Sequence, residues 1–161
     1  MAFMPDILME MVDIKSRGSV ISLWYSDKPN LPKKFAEMVR LEKSDGIEDD
    51  DSAKVWHQQV EILSWQTVTK LMEKDYHYEF GECGKNLCIT SADLSSLKTG
   101  DFLYIGKAVL VVTRKGRGCR NRCKLGYFHP EDCPASMEWV FANVIQDGPV
   151  CADDEFLVMG A

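Results

Sequence analysis

Between Phe102 and Thr113, two short runs of aromatic, aliphatic and β-branched residues are separated by only Gly106 and Lys107. A two-residue connection led by glycine is the shortest link between antiparallel strands, so Phe102–Ile105 and Ala108–Thr113 are expected to form a tight β-hairpin. Thr99-Gly100-Asp101 supplies the turn before it. The same grammar recurs elsewhere. Val20 to Tyr25 reads as a strand closed by Ser26-Asp27-Lys28-Pro29, and Val140 to Ile145 and Phe156 to Val158 read as two more strands, separated by Asp147-Gly148-Pro149 and an acidic stretch. Short strands punctuated by turns predict a mainly β chain that closes into a barrel, with a few short helices.

Two helices are expected. Ile7, Leu8, Met11 and Ile14 recur at helical spacing behind Asp6, giving a short N-terminal helix that ends near Gly18. The second follows a brief strand at Gln59 to Leu63: Ser64 is placed to cap it, Trp65, Val68, Leu71 and Met72 share one face, and it ends near Asp75. Glu37 to Leu41 is ambiguous between helix and strand. The resulting division is an N-terminal extension over 1–19 and a β-barrel domain over 20–161. No internal repeat or linker divides the chain, and 161 residues suffice for one core without disulfide or metal staples.

Charge narrows the partners. A formal net charge of −6 argues against general binding to nucleic acid or anionic lipid. No apolar run is long enough to span a membrane, and the acidic, interrupted N-terminus lacks the pattern of a secretory signal, so a cytoplasmic location and reduced thiols are expected. An anionic ligand must then meet a local basic patch. RKGRGCRNRCK provides one, gathering Arg114, Lys115, Arg117, Arg120, Arg122 and Lys124 around Cys119 and Cys123.

Cysteine acts as nucleophile or metal ligand only as thiolate, and flanking cations stabilise that form. Gly116 and Gly118 free the backbone beside Cys119 to bring amide N–H groups to an oxoanion. These features describe a thiolate beside an anion pocket; the plainer reading is a solvated basic loop with an incidental cysteine. Cys119, Cys123 and Cys133, with His129 between the last two, could also furnish three sulfurs and a nitrogen to zinc, although the spacing fits no common zinc module. Cys119 and Cys123 could alternatively form a reversible disulfide. Cys83, Cys88 and Cys151 are expected to be apolar filler. The acidic run Glu48 to Asp51 reads as a solvated loop rather than a magnesium site, and neither His57 nor His77 has a partner at ligand spacing.

Several segments, in order from about Val20 to Val158, resemble the MOSC domain, the module at the C-terminus of molybdenum cofactor sulfurases and in small bacterial stand-alone proteins. In GIEDDDSAKVWHQQVEILS, the residues Gly46, Ile47, Asp50, Gln59 and Val60 match that family's first motif, while Asp49, Ser52 and Gln58 replace its glycine, histidine and arginine. In FGECGKNLCI, Gly84, Asn86 and Leu87 match a Gly-Glu-Asn-Leu motif, with Lys85 for the glutamate. LKTGDFLYIGKAVLVVTRKGRGCRNRC resembles the Gly-Asp turn, hairpin and strand that deliver the family's reactive cysteine, which Cys119 matches. GYFHPEDCP resembles a Gly-Asp-Cys-x-x-Pro segment, and VFANVIQDGPVCADDEF the closing strand and turn, with Asn143 for an arginine and Asp153 for a glycine.

The resemblance implies a MOSC-like β-barrel in which Cys119 carries a persulfide or ligates molybdenum (or tungsten) in the pterin cofactor, molybdopterin. Cys123 and Cys133 would be the accompanying thiols, and Arg114, Lys115, Arg117 and Asn86 would hold the cofactor. A cysteine desulfurase or a molybdoenzyme would be the partner, and pyridoxal phosphate is not expected. The alternatives are a molybdenum-cofactor-dependent reductase of N-hydroxylated compounds, with Cys119 on the metal, and a degenerate binding module with a structural metal.

Overall fold

The computed structural model describes residues 14–25, 34–43, 46–47, 60–74, 86–90, 92–115 and 138–160. Among the described residues, eleven strands and one helix run in the order β1 (Ile14–Tyr25), β2 (Lys34–Ala36), β3 (Met38–Glu42), β4 (Gly46–Ile47), β5 (Val60–Ser64), α1 (Trp65–Lys74), β6 (Leu87–Thr90), β7 (Phe102–Ile105), β8 (Ala108–Lys115), β9 (Val140–Gln146), β10 (Gly148–Cys151) and β11 (Glu155–Met159). The sheet order β11-β7-β8-β9-β5-β6-β1, with β11 returning to β1, closes a seven-stranded barrel, the mainly β closed architecture expected from the sequence.

Closure depends on the length of β1. One of its edges carries β6 along Ser19 to Leu23; the other carries β11 from Ile14 to Ser19 and then β2 from Leu23 to Tyr25. A strand that serves two neighbours on one edge has to bend, and the register shift between Val20 and Ser22 marks where it does. Gly18 lies where the chain after β6 crosses: a Cβ there would clash with the carbonyl oxygen of Thr90. The expected end of an N-terminal helix near Gly18 is therefore corrected, because Ile14 to Ser19 are paired strand whose Ile14 packs with Leu157 and Met159. The rest of that expected helix lies outside the described residues.

Every pairing in the barrel is antiparallel except β5 with β6, which run parallel and are joined through α1. A parallel pair requires a crossover, and α1 provides it while covering Leu63 and Cys88 on the outer face of the two strands. Ser64 caps the helix as expected: its Oγ accepts from the Thr67 amide at 3.3 Å and donates to Thr67 Oγ1 at 3.0 Å.

Both ends of the barrel are plugged. The small sheet β10-β3-β4 contributes Val39, Leu41, Ile47 and Val150 to the core at the end that carries the Gly106-Lys107 turn. At the other end the segment 92–101, here the cap, inserts Ala92, Leu94 and Leu97 into the same core. The ambiguous stretch around Glu37 to Leu41 resolves as strand β3. Of the expected turn Asp147-Gly148-Pro149, the last two residues belong to the edge strand β10, where the missing amide hydrogen of Pro149 costs no ladder bond that a central strand would need.

Candidate functional site

β8 carries the chain to the basic, cysteine-bearing stretch, and its last residues set how that stretch begins. Leu110 pairs with Val144 and Val112 with Ala142, all four facing the core. One extra residue then intrudes: Arg114, not Thr113, stands opposite Phe141, and Lys115 opposite Val140. This bulge at Thr113, whose Oγ1 donates to the Phe141 carbonyl at 3.3 Å, reverses the alternation of β8. Without it Arg114 would share the inner face with Val112. With it Lys115 joins the inner row that continues through Val140, Ile62 and Leu87, and Arg114 falls on the outer face beside Phe141 and Glu61. Two cations adjacent in sequence thus leave the strand on opposite faces.

Lys115 escapes the apolar row by reaching the cap, where its Nζ donates to the Ser95 carbonyl. The cap is an Asx-type turn: Asp93 Oδ1 accepts from the Ser95 amide at 2.9 Å and from its hydroxyl at 2.6 Å. These hydroxyl and amide hydrogen bonds, with a further Coulombic contribution from Lys115, hold the Asp93 carboxyl below its ordinary range. The cap is pinned at two more points. Ser16 Oγ accepts from the Asp93 amide at 2.8 Å, and buried Asp101 pairs with Lys15 at 3.3 Å while accepting from the Lys98 amide at 2.9 Å. The Gly-Asp turn noted in the sequence is therefore structural: Gly100 adopts φ 96°, and Asp101 ties the turn to β1.

On the outer face, Trp139 stacks on Phe141 with ring centroids 4.9 Å apart and planes at 26°. Arg114 stands at the position beside this aromatic pair. Neither the cap nor the stacked pair was singled out from sequence; Asp93-Leu94-Ser95-Ser96 carries the turn signal that could have found the first.

Asn86 is buried at the start of β6. Its Oδ1 accepts from the Glu61 amide at 2.9 Å, its Nδ2 donates to the Trp24 carbonyl at 3.1 Å, and its own amide and carbonyl bond Glu61 and Trp24. The side chain and main chain of Asn86 together stitch β1 to β5. Cys88 is buried beside Ser22, and burial pushes its thiol up to about 12 although a hydrogen bond with the Ser22 side chain pulls the other way, so it is filler as expected. Cys151 is half-buried. Cys119, Cys123, Cys133 and Arg117, like Cys83, lie outside the described residues. Among the described residues no cluster of histidine, cysteine and acidic groups could hold a metal ion, and no helix is long and apolar enough to cross a membrane.

No family model and no curated protein matches the sequence. Solved structures do match the fold. The YuaD protein of Bacillus subtilis superposes over 92% of this chain and 100% of its own, at 16% identity and a TM-score of 0.71. YiiM from Escherichia coli covers 90% of this chain and 70% of its own at 16% identity, and YiiM from Geobacillus stearothermophilus 88% and 74% at 14%, each with a TM-score of 0.63. At these identities the likeness establishes the architecture shared with these MOSC-domain-like proteins, a closed barrel, and nothing about ligand or reaction.

Proposed function

We propose that the chain is a sulfur-carrier protein of the MOSC type, with Cys119 as the persulfide-bearing thiol. The observation that carries this reading is the end of β8: a bulge in a rigid barrel wall gives a fixed origin to a stretch whose first cysteine is flanked by Arg117, Arg120 and Arg122. Reactive groups on loops held by a rigid scaffold are a common arrangement. Cations beside a thiol favour thiolate.

In the transfer, the Cys119 thiolate attacks the terminal sulfur of a donor persulfide, such as that of a cysteine desulfurase. The donor S–S bond breaks, the donor thiolate leaves with the electron pair, and a new S–S bond forms on Cys119. Release follows when the Cys123 or Cys133 thiolate attacks the Cys119 sulfur of that bond; hydrosulfide departs and a protein disulfide remains, to be reduced by an external thiol.

Molybdopterin is the other group the resemblance implies, and it would supply metal-centred oxygen transfer or accept the sulfur. The described residues fit it only in part. Lys115 is committed to the Ser95 carbonyl, and both ends of the Asn86 amide are bonded to main chain, so neither joins Arg114 in a converging set for a phosphate. Cofactor binding would rest on 116–137, with Cys119 and Arg117.

Intact mass spectrometry of protein purified anaerobically tests the proposal. The expected result is one added sulfur atom after incubation with a desulfurase and cysteine, lost in Cys119→Ser. Equal loading of the serine variant would overturn it; retained molybdenum and a pterin chromophore would shift the reading towards the cofactor.

A further inference from the structure

Part of the barrel's outer face is apolar. Where β1, β11, β7 and β8 lie side by side, the register aligns two outward rows: Ile14, Met159, Phe102 and Val111 in one, Arg17, Leu157, Tyr104 and Val109 in the other. Burial along β11 is graded. Glu155 forms an exposed ion pair with Arg17, Leu157 is 3% exposed, and Met159, opposite Ile14, is 1% exposed. Among the described residues, the hydrophobic side chains packed against Leu157 and Met159 are Ile14, Phe102 and Tyr104, which stand in the same face and shield only their flanks. The cap lies at the same end of the barrel but turns Leu94 and Leu97 into the core. A side chain on the outer side of a sheet loses nearly all its surface only when something lies over it. The burial is complete within one chain, and it is deepest beside Ile14, where residues 1–13 join β1.

Residues 1–13 carry the complementary pattern. Met4, Ile7, Leu8 and Met11 fall at the i, i+3, i+4, i+7 spacing of one helical face, and Asp6, Glu10 and Asp13 fall on the opposite side. A helix from Met4 to Met11 would span about 11 Å, which matches the roughly 10 Å across β1, β11 and β7. Methionine thioethers pack well against aromatic rings, and Phe102 and Tyr104 offer two. We propose that the outer face of β1, β11 and β7 is the docking site of residues 1–13, laid across the strands as an amphipathic strap. Its Met4, Ile7, Leu8 and Met11 cover Leu157, Met159, Phe102 and Tyr104, and its acidic side faces solvent. The strap is independent of the sulfur-carrier reading. It closes within one chain an apolar face that would otherwise invite a partner.

The test uses the full chain. With p-benzoylphenylalanine in place of Leu8, irradiation should form crosslinks within one chain to the peptides holding Phe102–Ile105 or Glu155–Met159; the same group in place of Glu10 should not. Hydrogen peroxide gives a second measurement, because Met38 is 56% exposed and serves as an internal reference for Met159. In the unmodified chain Met159 should form sulfoxide at least roughly tenfold more slowly than Met38. In the variant carrying Ile7→Asp, Leu8→Asp and Met11→Asp the two rates should approach each other. Crosslinks from position 8 to any other part of the chain would overturn the proposal, and so would a Met159 rate, relative to Met38, that is the same in both proteins. Crosslinks between copies would overturn it too, since the occupant would then be a second chain. Should the aspartates unfold the variant, the crosslinks from position 8 decide alone.

Discussion

Gly106 sits against the carboxylate of Asp154: a Cβ built at Gly106 would fall 2.5 Å from Oδ2, and the glycine holds φ 57°. The hairpin turn between β7 and β8 is thereby packed onto the turn between β10 and β11. In that second turn Asp154 Oδ2 accepts from the Cys151 amide at 2.8 Å. Gly106→Ala meets both the strained conformation and the crowding. It should cost about 1–3 kcal/mol of stability, read as a lower urea midpoint at unchanged slope. An unchanged midpoint would mean that the two turns separate without cost.

Asn86 should be the most sensitive polar position in the barrel wall. Asn86→Ala leaves the Glu61 amide and the Trp24 carbonyl without the bonds that the buried side chain supplies. The expected loss is on the order of 2–4 kcal/mol. Asn86→Asp should be no milder, because a carboxylate cannot donate to the Trp24 carbonyl at neutral pH. Chemical denaturation of both variants checks the pair.

How much of this was legible in the sequence differs from element to element. The β7–β8 hairpin and the Ser64 cap were readable because each depends on local chemistry, a two-residue glycine turn and a hydroxyl followed by a helical face. The start of β1 was not. Apolar residues at helical spacing led up to Ile14, yet Ile14 to Ser19 are recruited by β11, which is 138 positions away at Arg17 and Glu155; a partner so distant leaves no local trace. Pro149 concealed β10 because proline argues against a strand unless it is known to lie at an edge. Asp153 carried a subtler signal. It stands where the resembled motif has glycine, and its φ of 70° shows why, since that turn requires the left-handed region that aspartate tolerates better than most residues. The site is the least legible part. A bulge is a relation between two strands, so nothing in Thr113-Arg114-Lys115 alone announces that the two cations face opposite ways.

Cys88 gives the chain a pH signature. Its thiol is raised from 9.0 to about 12 by burial, so it stays protonated in the folded state while the unfolded chain ionises above about pH 9. A raised pKa means that its contribution is complete below about pH 9 and is lost as pH climbs towards 12. Cys88→Val should therefore show a shallower alkaline decline in thermal midpoint than the unmodified chain. In the native protein at pH 8 the thiol should resist alkylation that proceeds freely in urea. Equal alkaline slopes in the two proteins would remove Cys88 as the cause.

Asp93 should act at the opposite end of the pH scale. Its carboxyl is held below the ordinary aspartate value of 3.8, first by the Ser95 hydroxyl, so its contribution is present above that value and fades as pH falls through the lower folded one. In Asp93→Asn the cap should lose its acid sensitivity while remaining seated through Leu94 and Leu97. Amide exchange of Ser95, compared between the variant and the parent below pH 4, checks this; an acid response in the variant as large as the parent's would exclude Asp93 as its source.

The bulge itself makes the sharpest test of how the site is built. Val112 stands opposite Ala142 and Arg114 opposite Phe141, so Thr113 is the extra residue on β8. Deleting it closes the ladder without moving either cation to the other face: arginine still meets Phe141, and lysine still meets Val140 and can reach Ser95. The deletion should therefore fold, with a modest loss of about 1–2 kcal/mol for the Thr113 contact to the Phe141 carbonyl and the altered local twist. Inserting one alanine between Arg114 and Lys115 does the reverse. It puts alanine opposite Val140 and carries the lysine one residue beyond its row and onto the other face, so the cap loses its clamp although no side chain has been removed. Amide exchange across 92–101 should be near normal in the deletion and raised in the insertion. If the deletion loosens the cap as much as the insertion does, the inner face of β8 is not what brings Lys115 to Ser95.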